Sequence, residues 1–203
     1  MIGIVLRFLN APGLILITLA GIAIQTSLFV SWPLYYFQPD IALLIVIWCA
    51  LRRGFTEGGV ITLIIADMAE IHSAVTQGLM LVSYMLVYLA VRLASRVLVI
   101  PDLSSYVIVT LFASVLWKLS NLMMLYGLGA AANEWRHTLL FMAPGALVEG
   151  ALGFWFYKQL ERYDFLTNKK PPTEHAALGD PDQVGSGNYI PGYDEEMQLE
   201  AEV

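Results

Sequence analysis

Charge is scarce in this chain and cysteine almost absent. Asp, Glu, Lys and Arg make up 14% of the 203 residues, where a soluble domain carries about 25%. No charged residue lies between Arg7 and Asp40, and the stretches 71–91, 103–117 and 119–133 are equally free of them. Such a chain is neither a soluble enzyme nor a nucleic-acid binder. The one cysteine, Cys49, sits inside an apolar run without a partner, which excludes a secreted disulfide scaffold and a Cys-cluster metal site. No Walker sequence is present, so the chain does not energise anything by itself. An internal repeat is also missing, which argues against a stand-alone transporter built from inverted halves.

What fills the chain instead is apolar: 58% of residues are hydrophobic. A helix needs roughly 20 apolar residues to cross a bilayer core, and several stretches qualify. The expected fold is all-α, a polytopic membrane bundle of six segments. They run over Val5–Ser31, Ile41–Leu51, Gly58–Ala74, Gly78–Leu98, Ser104–Leu128 and Thr138–Leu160. The first exceeds a signal h-region in length and has no clear cleavage site, so it is expected to be a retained anchor. The second and third are short. Eleven apolar residues in the second reach only about 16 Å, so this pair forms either tilted spans or a hairpin of half-helices packed inside the bundle.

The net charge of −6 originates in one place. Residues 167–203 carry two lysines against eight acids, whereas the nine bases and nine acids of residues 1–166 cancel. The expected organisation is therefore a six-helix transmembrane domain over 1–166 and an acidic, disordered cytoplasmic tail over 167–203. With both termini cytoplasmic, nine of the eleven basic residues face inside: Arg7, Arg52, Arg53, Arg92, Arg96, Lys158, Arg162, Lys169 and Lys170. Only Arg136 lies outside, and Lys118 is intramembrane. That bias specifies an even number of crossings.

Ionisable groups at membrane depth are candidate sites. Lys118, about ten residues before an outer loop, and Glu149, about twelve after it, reach similar depth and are expected to pair; structural glue is the plain reading. Asn121 lies one turn from Lys118. Asp67 and Glu70, three apart on one helical face near His72, are the only paired carboxylates suited to acid–base work. Capping or an interfacial position explains them as well. His72 and His137 lack ligand spacing, so no metal or cofactor is expected. Arg52, Arg53, Arg92 and Arg96 either set topology or contact anionic lipid headgroups. Small residues at Ala90/Ala94, Ala146/Gly150 and Gly153 permit close helix packing inside the bundle.

Gln38-Pro39-Asp40 opens an apolar run that ends in Trp48-Cys49-Ala50-Leu51-Arg52-Arg53-Gly54. Gly58-Gly59 then leads into a segment with Asp67, followed by Gly78 and an aromatic-bearing helix ending in Arg92 and Arg96. This order resembles the MreD family, the small membrane subunit of the bacterial rod-shape machinery. The likeness covers residues 33–100 best. It departs at Ile65-Ala66, where the family tends to show Gly-Leu, and the acidic tail is longer than expected. The resemblance implies no catalysis, a location in the bacterial inner membrane, and partnership with MreC. Through MreC it implies RodA, its class B penicillin-binding transpeptidase and MreB filaments. The family is similar in fold to the substrate-binding subunits of energy-coupling-factor vitamin transporters. The alternative expectation is thus a small-ligand cavity among segments three, five and six, near Asp67, Lys118 and Glu149.

Overall fold

The computed structural model describes residues 2–29, 38–73, 76–97, 103–129 and 134–167. They form six helices and no strand: α1 (Ile2–Leu28), α2 (Ile41–Arg52), α3 (Phe55–Ile71), α4 (Leu79–Val97), α5 (Leu103–Gly127) and α6 (Glu134–Leu166). The expected disorder of the tail concerns residues outside the described ones, except Thr167. That residue is buried and accepts a hydrogen bond from Asn10 Nδ2 at 2.5 Å, so it belongs to the helical body.

Two helical stretches, Leu9–Leu28 and Ser105–Gly127, are long and apolar enough to cross a bilayer. The apolar helices Ile41–Arg52 and Leu79–Ser95 are shorter. Helix α6 outruns the expected segment at both ends and totals 33 residues. Its extra C-terminal turns carry Glu161 and Asp164, which pair with Arg52 and Arg53. Apolarity alone placed the boundary too early because those turns are held by ion pairs.

Helix α2 is the axis of the bundle. A helix apolar on every side is stable only when surrounded, and residues 42–50 are all buried. The other five helices pack around it. At 12 residues it is about 18 Å long, well short of a bilayer core. Close approach of α3 depends on Gly58, where a Cβ would stand 3.0 Å from the Cys49 carbonyl oxygen and 2.9 Å from Tyr88 Oη. The α5–α6 contact depends similarly on Gly150 and Gly153, which face Leu111 and Thr110. The spacing Ala146/Gly150 is thus used within the bundle.

Both ends of α2 are closed by polar side chains from distant helices. At the N-terminus, Asp40 Oδ1 accepts from the Leu43 amide at 3.0 Å and Oδ2 accepts from Tyr84 Oη at 2.6 Å. Gln25 of α1 takes the Ile41 amide at 3.1 Å. At the C-terminus, Arg92 donates to the carbonyls of Ala50 and Arg53 at 3.1 and 2.9 Å. A helix end otherwise leaves such groups unpaired, and burial makes that costly. Between the ends, Trp48 meets Tyr106 and Tyr157 edge-on, with ring centroids 6.5 and 5.3 Å away.

Candidate functional site

The main polar cluster surrounds the N-terminal end of α2. Helix α5 brings Lys118, whose Nζ donates to Glu149 Oε1 of α6 at 3.0 Å and to Ser114 Oγ at 3.1 Å. This is the ion pair that the matched depths imply. Gly145 makes room for it, since a Cβ there would sit 2.9 Å from Lys118 Nζ. Glu149 is only 1% exposed. Its Oε2 is buried with no partner among the described residues.

Asp40 lies within electrostatic reach of both Lys118 and Glu149. Tyr84, bonded to Asp40, stacks against Trp117 of α5 with centroids 5.8 Å apart. Asn121 joins the same wall: its Oδ1 accepts from Ser83 Oγ at 3.0 Å, and its Nδ2 donates to the Trp117 carbonyl at 3.1 Å. The Asp40–Tyr84 bond, the Tyr84–Trp117 contact and the Lys118–Glu149 pair together link α2, α4, α5 and α6. Charges in such surroundings persist when each has hydrogen-bonding partners.

The expected neighbourhood of Asp67 with Lys118 and Glu149 does not form. Helix α3 packs on α1, α2 and α4, not appreciably on α5 or α6, and Asp67 is exposed. Asp40 and Tyr84 occupy the place that it was expected to fill. Asp67 and Glu70 also part company. Glu70 turns back to accept from the amides of Gly78 at 2.5 Å and Leu81 at 3.4 Å, capping the start of α4. A negative side chain at free amides of a helix start is stabilising. His72 Nδ1 contacts its own helix at the Met68 carbonyl; the His137 side chain lies outside the described residues. Among the described residues no group of three or more His, Cys, Asp or Glu side chains could hold a metal ion.

A second cluster closes the opposite end of α2. Arg53 is 1% exposed and donates to Asn10 Oδ1 at 2.8 Å and Asp164 Oδ1 at 2.5 Å. Asn10 Nδ2 also donates to Asp164 at 3.1 Å, and Tyr163 Oη donates to the Asn10 carbonyl at 2.9 Å. The knot ties α1, α2 and α6 together. A headgroup role for Arg53 is therefore overturned, because the guanidinium is enclosed by protein. Arg92 is committed to the carbonyls that end α2. Arg52 remains partly exposed; it bonds Tyr157 Oη, lies 3.7 Å from Glu161 and stacks over Trp48 and Tyr157. The Arg96 side chain lies outside the described residues.

Sequence reasoning missed Asn10, Tyr84, Tyr157 and Asp164. Asn10 carried a readable signal, being an amide inside a long charge-free run. The tyrosines carried none, since a hydroxyl at depth reads as one more aromatic. Elsewhere, a groove of about 760 Å³ runs between α1 and α3. Ala11, Ile15 and Leu19 line one wall and Val60, Ile64 and Met68 the other, with Thr56 and Glu57 its polar residues.

Comparison with protein-family models, with curated proteins and with solved structures returned no match for this chain.

Proposed function

We propose that this chain is a non-catalytic, MreD-like subunit of the bacterial cell-elongation machinery. In this reading it is a six-span protein of the inner membrane with both termini in the cytoplasm. It binds MreC and, directly or through it, RodA, the class B penicillin-binding transpeptidase and MreB filaments. One observation carries the reading. The first motif of the resemblance, residues 38–54, forms the buried axis α2 with its two caps, and Asp40, Trp48 and Arg53 are all turned inward. The Asp40 carboxylate and the Arg53 guanidinium hold the frame together by hydrogen bonds and Trp48 by ring packing, as a scaffold requires, while the exposed surface includes many large apolar side chains such as Leu16, Val60 and Phe112. In a bilayer such surface is open to lipid and to partner helices.

Depletion tests this directly. Rod-shaped cells losing the chain should round up and lose peptidoglycan insertion along the side wall. Cells that keep their shape and sidewall insertion would contradict the proposal.

A second reading has one observation in its favour. Glu149 Oε2 is a buried acceptor without a partner among the described residues, beside a cluster shared by four helices. A substrate-binding subunit of an energy-coupling-factor transporter would use such a group to hold a ligand. Depleted cells that stay rod-shaped but stop accumulating one vitamin would favour it.

A further inference from the structure

The C-terminal turns of α6 contain Lys158, Glu161, Arg162 and Asp164, a run that reads as neutral in the sequence. Folding separates the signs. Glu161 and Asp164 turn toward α2, where Arg52 and Arg53 lie 3.7 and 2.5 Å away. Lys158 and Arg162 point outward, and neither has an ion-pair partner among the described residues. One turn apart, they stand on one face of the helix. That face is flanked by exposed Phe154 and Trp155 on one side and by exposed Phe165 and Leu166 on the other. Lys158 Nζ sits 4.8 Å from the centre of the Phe154 ring. The outward face is therefore cationic and aromatic, with Asp164 mostly covered and Glu161, still partly exposed, paired with Arg52.

From this segregation we infer that the Lys158–Arg162 stripe is a binding site for anionic phospholipid headgroups of the inner leaflet. The proposal rests on the membrane placement of α6 given above, not on the role in cell elongation. Two features match that occupant. Two unpaired cations offer charge to a phosphate. Trp155 and Phe154 are the side chains that favour the boundary between headgroups and acyl chains. Lysine and arginine stems lie along such surface while their heads reach the phosphates. Of the four arginines that the sequence offered for this task, Arg53 and Arg92 are used inside the bundle.

Trp155 is a built-in reporter. The full chain is reconstituted in bilayers containing a small fraction of brominated lipid, either zwitterionic phosphatidylcholine or anionic phosphatidylglycerol. The Trp155 signal is the difference between the wild type and Trp155→Phe. Brominated phosphatidylglycerol should quench that signal preferentially, and salt should weaken the preference. In the double variant Lys158→Gln/Arg162→Gln both lipids should quench alike. Each cation near an anionic surface contributes about fivefold, so the relative affinity should fall about thirtyfold. Equal quenching in the wild type, or a preference that survives the double substitution, would overturn the site. Quenching by neither lipid would also overturn it, and would at the same time refute the membrane placement of α6. Cys49 is fully buried, so its resistance to maleimide verifies that each variant is folded.

Discussion

Tyr84 Oη donates a 2.6 Å hydrogen bond to Asp40 Oδ2, joining helices 44 positions apart in sequence at the start of the buried axis. Asp40 thereby has both oxygens occupied, one by the Leu43 amide that it caps and one by the phenol. Removing either partner leaves the other as a dry, unpaired polar group. Tyr84→Phe should cost about 1–3 kcal/mol. Asp40→Ala should cost more, because the cap, worth about 1 kcal/mol, is lost as well. Denaturant unfolding in detergent, followed by alkylation of Cys49 as it becomes accessible, measures both. Equal stability of Tyr84→Phe and the wild type would refute the bond.

The Lys118–Glu149 pair makes a sharper claim about balance. Lys118→Ala should destabilise the protein by about 3–5 kcal/mol, since Glu149 then remains buried and unpaired. Replacing both by apolar residues of similar volume, Lys118→Met with Glu149→Leu, should restore much of the loss. The folded yield and melting temperature of the two variants decide it. A double variant no better than Lys118→Ala means that the pair is not the source of the cost.

The two adjacent arginines should behave differently. Arg53→Ala uncovers Asn10 and Asp164 in a closed site and should cost about 3–5 kcal/mol, with no rescue by anionic lipid. Arg52→Ala, at a half-exposed pair, should cost less than about 1 kcal/mol plus a part of its packing on Trp48. The difference in melting temperature between the two variants reads this out.

Gly58 is tested by bulk. Gly58→Val places atoms against the Cys49 carbonyl, a backbone atom that cannot swing aside. The expected cost is about 1–3 kcal/mol, from overpacking between α2 and α3. Gly54, around which no atom would meet a new Cβ within 4 Å, is the control. Gly54→Ser, which keeps a favourable residue at the N-cap of α3, should leave the melting temperature nearly unchanged.

The sequence was readable along the chain but not around each helix. Charge-free runs located the helices, and counting inward from a loop gave Lys118 and Glu149 a common depth. Depth says nothing about azimuth. Asp67 was grouped with that pair on depth and charge, yet its helix packs on the far side of α2. Helix α2 offers no facing signal at all, because it is apolar on every side, and so its role as axis came from its neighbours. The Arg52-Arg53 pair illustrates the same limit. Arg52 is the last residue of α2 and Arg53 its cap in extended backbone, so the backbone turns between them and Arg53 faces the core while Arg52 faces the rim. Nothing in the pair itself states which is which.

The central claim is that this frame serves the cell-elongation complex. The most direct measurement is purification of the tagged chain from native membranes in mild detergent, after crosslinking, with mass spectrometry of what comes with it. The account predicts recovery of MreC with RodA or a class B penicillin-binding protein, crosslinked to exposed apolar faces. Recovery of a pair of ATPases with a membrane coupling subunit, and of no elongation component, would contradict it.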